Sequence, residues 1–143
     1  MKSVGEGIRT DVPVFENQWQ DLHRHAVEAT RKAYAPYSDY PVGVAGLTQS
    51  GRILTGANIE NASYGLTLCA ECTLICQAIM LEADPLIAVV IVNASGEFIT
   101  PCGRCRQLLI EHTGPRLQLT TAEGLTTLGQ LLPQAFGPKN LAT

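Results

Sequence analysis

Two cysteine clusters constrain this chain more than any other feature of it. Cys69-Ala70-Glu71 stands near the start of an apolar run, Leu68 to Leu81, that reads as a buried helix, and Pro101-Cys102-Gly103-Arg104-Cys105 heads a second helical stretch. Three thiols and a carboxylate acquire a common purpose if a Zn²⁺ ion sits among them. Thiolates bind zinc tightly near neutral pH, and a carboxylate beside a ligand can carry a proton. The rest of the fold then has to hold a substrate against the metal. The five cysteines are an odd number, and in a reducing compartment close Cys pairs mean metal or catalysis more often than disulfides.

Around these clusters the chain alternates helices and strands. Residues 1–16, broken by Gly5, Gly7 and Pro13, show no usable period and read as a loose arm. From Asn17, a plausible N-cap, Trp19, Leu22, Ala26, Ala29 and Ala33 recur at steps of three and four, one stripe of an amphipathic helix that stops near Ala35-Pro36. His23 and His25 lie off that stripe and read as residues of a solvated face. Val42 to Thr48 and Ile53 to Ala57 are β-prone runs joined across Gln49-Ser50-Gly51-Arg52, a hairpin. The glycines inside them point to close approach of another backbone or of a ligand. The polar stretch Asn58 to Gly65 carries more hydrogen-bonding capacity than a connector needs, and Thr67 is a candidate N-cap for the Cys69 helix.

Leu86 to Val92 is apolar on both alternating faces, which predicts a central strand covered on both sides. Ser95-Gly96 turns the chain, Thr100-Pro101 offers an N-cap with proline at the first helical position, and Cys102 to His112 continues as a short helix ended by Gly114-Pro115. Arg116 to Thr120 is a further strand, Leu125 to Thr127 an edge strand, and Thr127 to Leu132 a last short helix. The order predicts one α/β domain over residues 1–143, a three-layer α/β/α sandwich.

Both cysteine clusters therefore begin helices. The first turn of a helix offers unpaired N–H groups and the positive pole of the macrodipole, which favour thiolates and an anionic metal site. Cys69, Cys102 and Cys105 on Zn²⁺ leave a fourth tetrahedral position open, as in catalytic sites, where bound water ionises near neutral pH and Glu71 can move the proton. A competing reading uses Cys69-x-x-Cys72 with Cys102-x-x-Cys105 to close the tetrahedron around a purely structural zinc. Against it stand the long gap between the pairs, their place within helices of a domain with an ample core, and Glu71 beside a ligand.

The partner class follows from charge. A formal net charge of −3 with no block of Lys or Arg argues against a nucleic-acid backbone, so a small-molecule substrate is expected. Only 16% of residues are charged while 45% are hydrophobic, more apolar surface than a monomer of this size hides, and burial between identical subunits is the expected outlet. Met1 to Asp11 lacks the apolar segment of a signal peptide, and the longest apolar run, Leu86 to Val92, falls far short of the roughly 20 residues that span a bilayer. No membrane partner and a cytoplasmic location are expected.

The same residues carry a resemblance. Cys69-Ala70-Glu71 with Pro101-Cys102-Gly103-Arg104-Cys105 resembles the signature of the zinc nucleoside and nucleobase deaminases, including their three-cysteine variant. Ala35-Pro36-Tyr37-Ser38, Tyr40-Pro41-Val42-Gly43, Asn58 to Gly65, Cys105-Arg106-Gln107 and Leu131-Leu132-Pro133 with Phe136 extend it to the small homotetrameric cytidine deaminases, over roughly residues 20 to 138. The resemblance implies a mixed five-stranded sheet, one Zn²⁺ per subunit on Cys69, Cys102 and Cys105, and Glu71 as proton shuttle. It implies hydrolysis of cytidine and 2'-deoxycytidine to uridine and 2'-deoxyuridine with release of ammonia, a step of pyrimidine salvage. Asn58 and Glu60 are implied on the ribose hydroxyl that the two nucleosides share. Tyr40 stands where the family usually has Phe against the substrate, and the resemblance further implies that Ala70 meets the base through its backbone and that Thr100 offers a carbonyl to the departing amine. Ala62, Tyr64 and Phe136 correspond to positions that reach a neighbouring subunit's site. On local sequence alone Asn58 and Glu60 read as turn residues capping their own backbone, and the resemblance reverses that reading. A modified nucleoside as substrate, and a structural-zinc binding protein without turnover, are the other readings.

One departure stands out. The tetrameric family usually carries Arg directly after the Cys-Ala-Glu triplet, where it bonds the ligand thiolates, and this chain has Cys72. Three thiolates leave a zinc centre negatively charged, so a positive partner is wanted. Arg104, between the downstream ligands, is the expected substitute and Arg106 the second candidate. Cys72 is expected as a neutral buried thiol, although its i+3 relation to Cys69 keeps it a rival ligand. Cys76 is expected in the core.

Overall fold

A computed structural model describes residues 12–142. In chain order they form α1 (Glu16–Thr30), β1 (Val42–Thr48), β2 (Ile53–Ala57), α2 (Ala70–Met80), β3 (Leu86–Asn93), α3 (Gly103–Thr113), β4 (Gln118–Thr121), β5 (Gly124–Thr127) and α4 (Leu128–Leu131), with single 3₁₀ turns at Tyr64–Leu66 and Pro138–Asn140. The sheet order is β2-β1-β3-β4-β5. Only β3 and β4 run parallel, joined by α3 as a crossover, so the sheet is mixed and five-stranded as expected.

β3 is the centre of the molecule because every position from Leu86 to Val92 is buried. Ile87, Ala88, Val90 and Val92 pack with Leu22 and Ala26 of α1 on one face. Leu86, Val89 and Ile91 pack with Leu74 and Ile75 of α2, Leu109 of α3 and Leu128 of α4 on the other. These are the three layers. A strand that is apolar on both sides has no stable place at an edge, and its burial here matches that requirement.

Gly43 and Gly56 are explained by backbone rather than ligand, while Gly46 makes room for the Leu74 and Leu86 side chains. A Cβ on Gly43 would lie 2.0 Å from the carbonyl oxygen of Ala26 in α1, and one on Gly56 would lie 2.4 Å from the carbonyl oxygen of Ala70 in α2. Each helix is thus seated directly on a glycine. The second contact is the one that matters for chemistry, since it presses the first turn of α2 against the sheet.

Several sequence readings shift. α1 begins at Glu16 with Phe15 in the cap position, not Asn17, and it ends at Thr30, before Ala33. Of the stretch read as a loose arm, residues 1–11 lie outside the described residues, whereas Val12 and Val14 pack against the core beneath α1. His23 is not on a solvated face. Its Nε2 lies 2.8 Å from the carbonyl oxygen of Gly96, and its ring meets Phe98 edge-on at 5.2 Å, because the turn after β3 folds back over α1. Cys76 is exposed rather than in the core, since α2 buries the stripe Ala70, Glu71, Leu74 and Ile75 and Cys76 falls outside it.

Candidate metal centre

The two cysteine clusters meet at the N-termini of α2 and α3. Cys69 is the cap residue of α2 and Cys102 that of α3, both with extended backbone (φ −67°, ψ 158° and φ −66°, ψ 168°). The expected caps, Thr67 and Thr100, therefore each fall two residues early. Neither cysteine makes a side-chain cap bond, which leaves the sulfurs for other use. The backbone leading into Cys69 is fixed by a two-way bridge between Leu68 and Ile59, N–H to carbonyl at 2.8 and 2.9 Å. The backbone leading into Cys102 is fixed by buried Pro101. One helical turn on, Cys105 turns inward and is 1% exposed.

The thiols of Cys69, Cys102 and Cys105 lie within 4.8 Å of one another. Sulfurs each about 2.3 Å from a shared ion need only a small contraction from that spacing. Cys72 is not part of the group, so among the described residues the cluster offers three sulfurs and not four. The electrostatics point the same way. Burial pushes the Cys69 thiol up from its ordinary value, and pushes Cys105 up further still, aided by the charges of Glu71 and Cys69. At Cys102 burial is outweighed by the backbone N–H and thiol of Cys105 and the thiol of Cys69, which hold it below the ordinary value. Three thiolates so placed would repel one another without a cation, and a dication among them offsets that cost. The donor set therefore fits Zn²⁺.

Glu71 sits in the first turn of α2 and is 4% exposed. Burial raises its carboxyl above the ordinary range, opposed by its own backbone N–H and by the Cys105 thiol. A carboxyl so close to a ligand sulfur and so far from water can hold or release a proton within the site. Ala70, beside it, is 1% exposed, and its carbonyl accepts from the Thr73 hydroxyl at 2.9 Å.

Asn58 and Glu60 are buried, 9% and 8% exposed. They do not cap their own backbone. The Asn58 amide spans the loop before β1, accepting from Val42 N–H at 2.8 Å and donating to the Tyr40 carbonyl at 3.0 Å. The Glu60 carboxylate accepts from Ser38 N–H at 3.1 Å and from the Ser38 hydroxyl. Two residues that sequence reasoning passed over come into view. Ser38 orients Glu60, and its only prior signal was its place in the Ala35–Ser38 motif. Thr73 bonds both Ala57 N–H and the Ala57 carbonyl, tying α2 to the end of β2, and its signal was a hydroxyl inside an apolar helix.

The remaining candidates are held by contacts of other kinds. Tyr40, Ala62, Tyr64, Thr100 and Phe136 are exposed, Tyr64 at 76% and Phe136 at 57%. Tyr64 leans on Tyr37 with ring centres 5.9 Å apart, and the Phe136 carbonyl accepts from Gln107 of α3 at 3.0 Å. Arg104 donates to the Thr67 carbonyl at 3.1 Å, and Arg106 donates to the carbonyls of Pro101 and Leu131, each at 2.8 Å. Cys72 is half-buried beside Cys76, and burial raises its thiol.

Comparison with known proteins agrees with this geometry. Residues 16–121 match the family model described as the cytidine and deoxycytidylate deaminase zinc-binding region. A cytidine deaminase of Mycobacterium tuberculosis is 46% identical over 123 residues, 86% of this chain and 92% of that protein. One from Halalkalibacterium halodurans is 38% identical over 127 residues, 85% and 96% of the two chains. The crystal structure of cytidine deaminase from Mycobacterium leprae superposes with a TM-score of 0.79 at 52% identity, covering 81% of this chain and 98% of the other.

Proposed function

The chain belongs to the cytidine and deoxycytidylate deaminase family, and from that membership we propose that it hydrolyses both cytidine and 2'-deoxycytidine, a reaction of pyrimidine salvage. Water adds at C4 of the pyrimidine and the C4–N bond breaks, so that cytidine and water become uridine and ammonia with no change of oxidation state. The observation that carries the reading is the meeting of three thiols within 4.8 Å at two helix N-termini with a buried carboxyl beside them.

Zn²⁺ is the cofactor, and Cys69, Cys102 and Cys105 are the residues that would hold it. When bound it supplies a Lewis acid and lowers the pKa of water to near neutrality. Glu71 does the proton work. Its carboxylate takes a proton from the attacking water and delivers it to N3 of the ring, then takes the second proton from the new C4 hydroxyl and delivers it to the departing amine as the C4–N bond breaks, a base that becomes an acid. Its burial keeps the proton from exchanging with bulk water during the step.

Glu60 supports the sugar contact. With Ser38 on one side, its carboxylate keeps acceptor capacity for a hydroxyl that cytidine and 2'-deoxycytidine share, and Asn58 holds one remaining amide proton. Neither contact involves the 2' position, so both nucleosides are substrates. The backbone of Ala70 faces the base, the carbonyl of Thr100 receives the amine, and Tyr40 covers the substrate. Incubating the zinc-loaded protein with either nucleoside, and following absorbance and ammonia together, tests this. Both should convert with ammonia matched to product. No ammonia from cytidine would refute the reading.

Ala62, Tyr64 and Phe136 complete a neighbour's site in a homotetramer. Supporting this, Tyr64, Leu66, Met80 and Phe136 are each more than half exposed, apolar area that a subunit interface would cover. Sedimentation should give a tetramer at assay concentrations. An active monomer would remove both the tetramer and these three roles. Among the described residues no helix is long and apolar enough to cross a membrane, and the proposed location is cytoplasmic.

A further inference from the structure

The first turn of α3 goes against helix electrostatics. That end carries the positive pole of the macrodipole and favours Asp or Glu, yet α3 has no acidic residue there and instead carries Arg104 and Arg106. Both guanidiniums are spent on backbone carbonyls. Arg106 donates to Pro101, directly before Cys102, and to Leu131 of α4, so it ties α3 to the segment that leads into it and to its neighbour. Arg104 does something different. It stands between Cys102 and Cys105 in sequence and donates across to the carbonyl of Thr67, two residues before Cys69.

The three thiols come from two separate segments, and holding a metal requires those segments to keep their register. Leu68 is already fixed to Ile59 and Pro101 is already buried. Arg104 joins the two segments directly, by a side-chain bond from α3 to the turn that delivers Cys69. Its charge also reaches the first turn of α2, where it acts on Cys72. Three thiolates and one dication sum to a net negative charge, so a fixed cation at this seam favours the loaded state as well as the geometry.

We propose that Arg104 is a positioning residue for the metal: it locks the Cys69 turn onto the helix that carries Cys102 and Cys105, and so governs how long zinc is retained. The inference rests on the ligand set proposed above. Groups that orient metal ligands without touching the metal commonly contribute about 10- to 100-fold in affinity. Arg104 is largely exposed, so its bond has little to offer the fold when no metal is present.

The test is zinc release from the loaded protein into excess chromogenic chelator, with the melting temperature of the metal-free protein measured alongside. Arg104→Ala should release zinc about 10- to 100-fold faster than wild type. Arg104→Lys, which keeps the charge but loses the planar fork, should show a smaller acceleration, and a substitution of exposed Arg116 by Ala should show none. The metal-free variants should melt with metal-free wild type. Release from Arg104→Ala at the wild-type rate would overturn the proposal. So would a metal-free Arg104→Ala that melts well below metal-free wild type, because the tie would then be a contact of the fold. A wild-type protein that takes up no stoichiometric zinc would instead overturn the ligand set, and the two failures are distinct.

Discussion

Glu71→Gln is expected to lower kcat for cytidine by about 10²- to 10⁴-fold while zinc content and melting temperature stay near those of wild type. Glutamine fills the same volume and can still hydrogen-bond, but it cannot take a proton from water and return it to nitrogen. The side chain is 4% exposed, so bulk buffer has little access with which to replace it. Loss of an acidic residue from the first turn of α2 removes a favourable dipole contact of about 0.3–1 kcal/mol. Removing a buried carboxylate offsets some of that, so the fold should change little. The measurement is steady-state absorbance kinetics with zinc counted in the same samples. Activity within about tenfold of wild type would show that the proton travels by another group.

The sheet was legible because its signals are local. An uninterrupted apolar run from Leu86 to Val92 can only be satisfied between two layers, and the Gln49–Arg52 turn between β-prone runs leaves a hairpin as the simplest pairing. The strand glycines announced close approach, and for Gly43 and Gly56 the partner proved to be the backbone of α1 and α2. What sequence patterns misjudged was set by distant chain. His23 lies off the apolar stripe of α1, but that stripe says nothing of the turn at Gly96 that returns over it. The cap positions moved from Thr67 and Thr100 to Cys69 and Cys102 because capping preferences weigh side-chain oxygens that bond N–H groups. Here the cap positions are held by cysteines that make no side-chain cap bond.

The site divides the same way. The spacing of Cys69, Glu71, Cys102 and Cys105 speaks for itself because helix periodicity converts it into geometry: cap, second residue, and one turn on. The sugar-binding candidates do not. Asn58 and Glu60 look like turn residues until the loop 38–42 is laid beside them, and their partners Ser38, Tyr40 and Val42 lie 16 to 22 positions away. Cys76 illustrates the converse error, a general preference for burial overruled by the local phase of the helix.

Cys105→Ala should abolish zinc retention and activity together, whereas Cys72→Ala should leave one zinc per chain and substantial activity. Cys105 is the most buried of the three clustered thiols, and burial pushes it far above an ordinary thiol in the absence of metal. Its deprotonation is thus tied to metal more tightly than that of exposed Cys102. Alanine is smaller but apolar and leaves no unpaired polar group, so the metal-free variant should melt near metal-free wild type, with the loss appearing only in the loaded form. Since groups behind the ligands are worth about 10- to 100-fold in affinity, deletion of a ligand should exceed that range. The paired variant decides between the two zinc chemistries that the cysteine spacing permits. Cys72 lies outside the cluster, so a three-sulfur site with room for substrate chemistry survives its removal, while a four-sulfur structural site does not. Zinc lost from Cys72→Ala and kept by Cys105→Ala would reverse the assignment and, with it, the case for an open, catalytic metal.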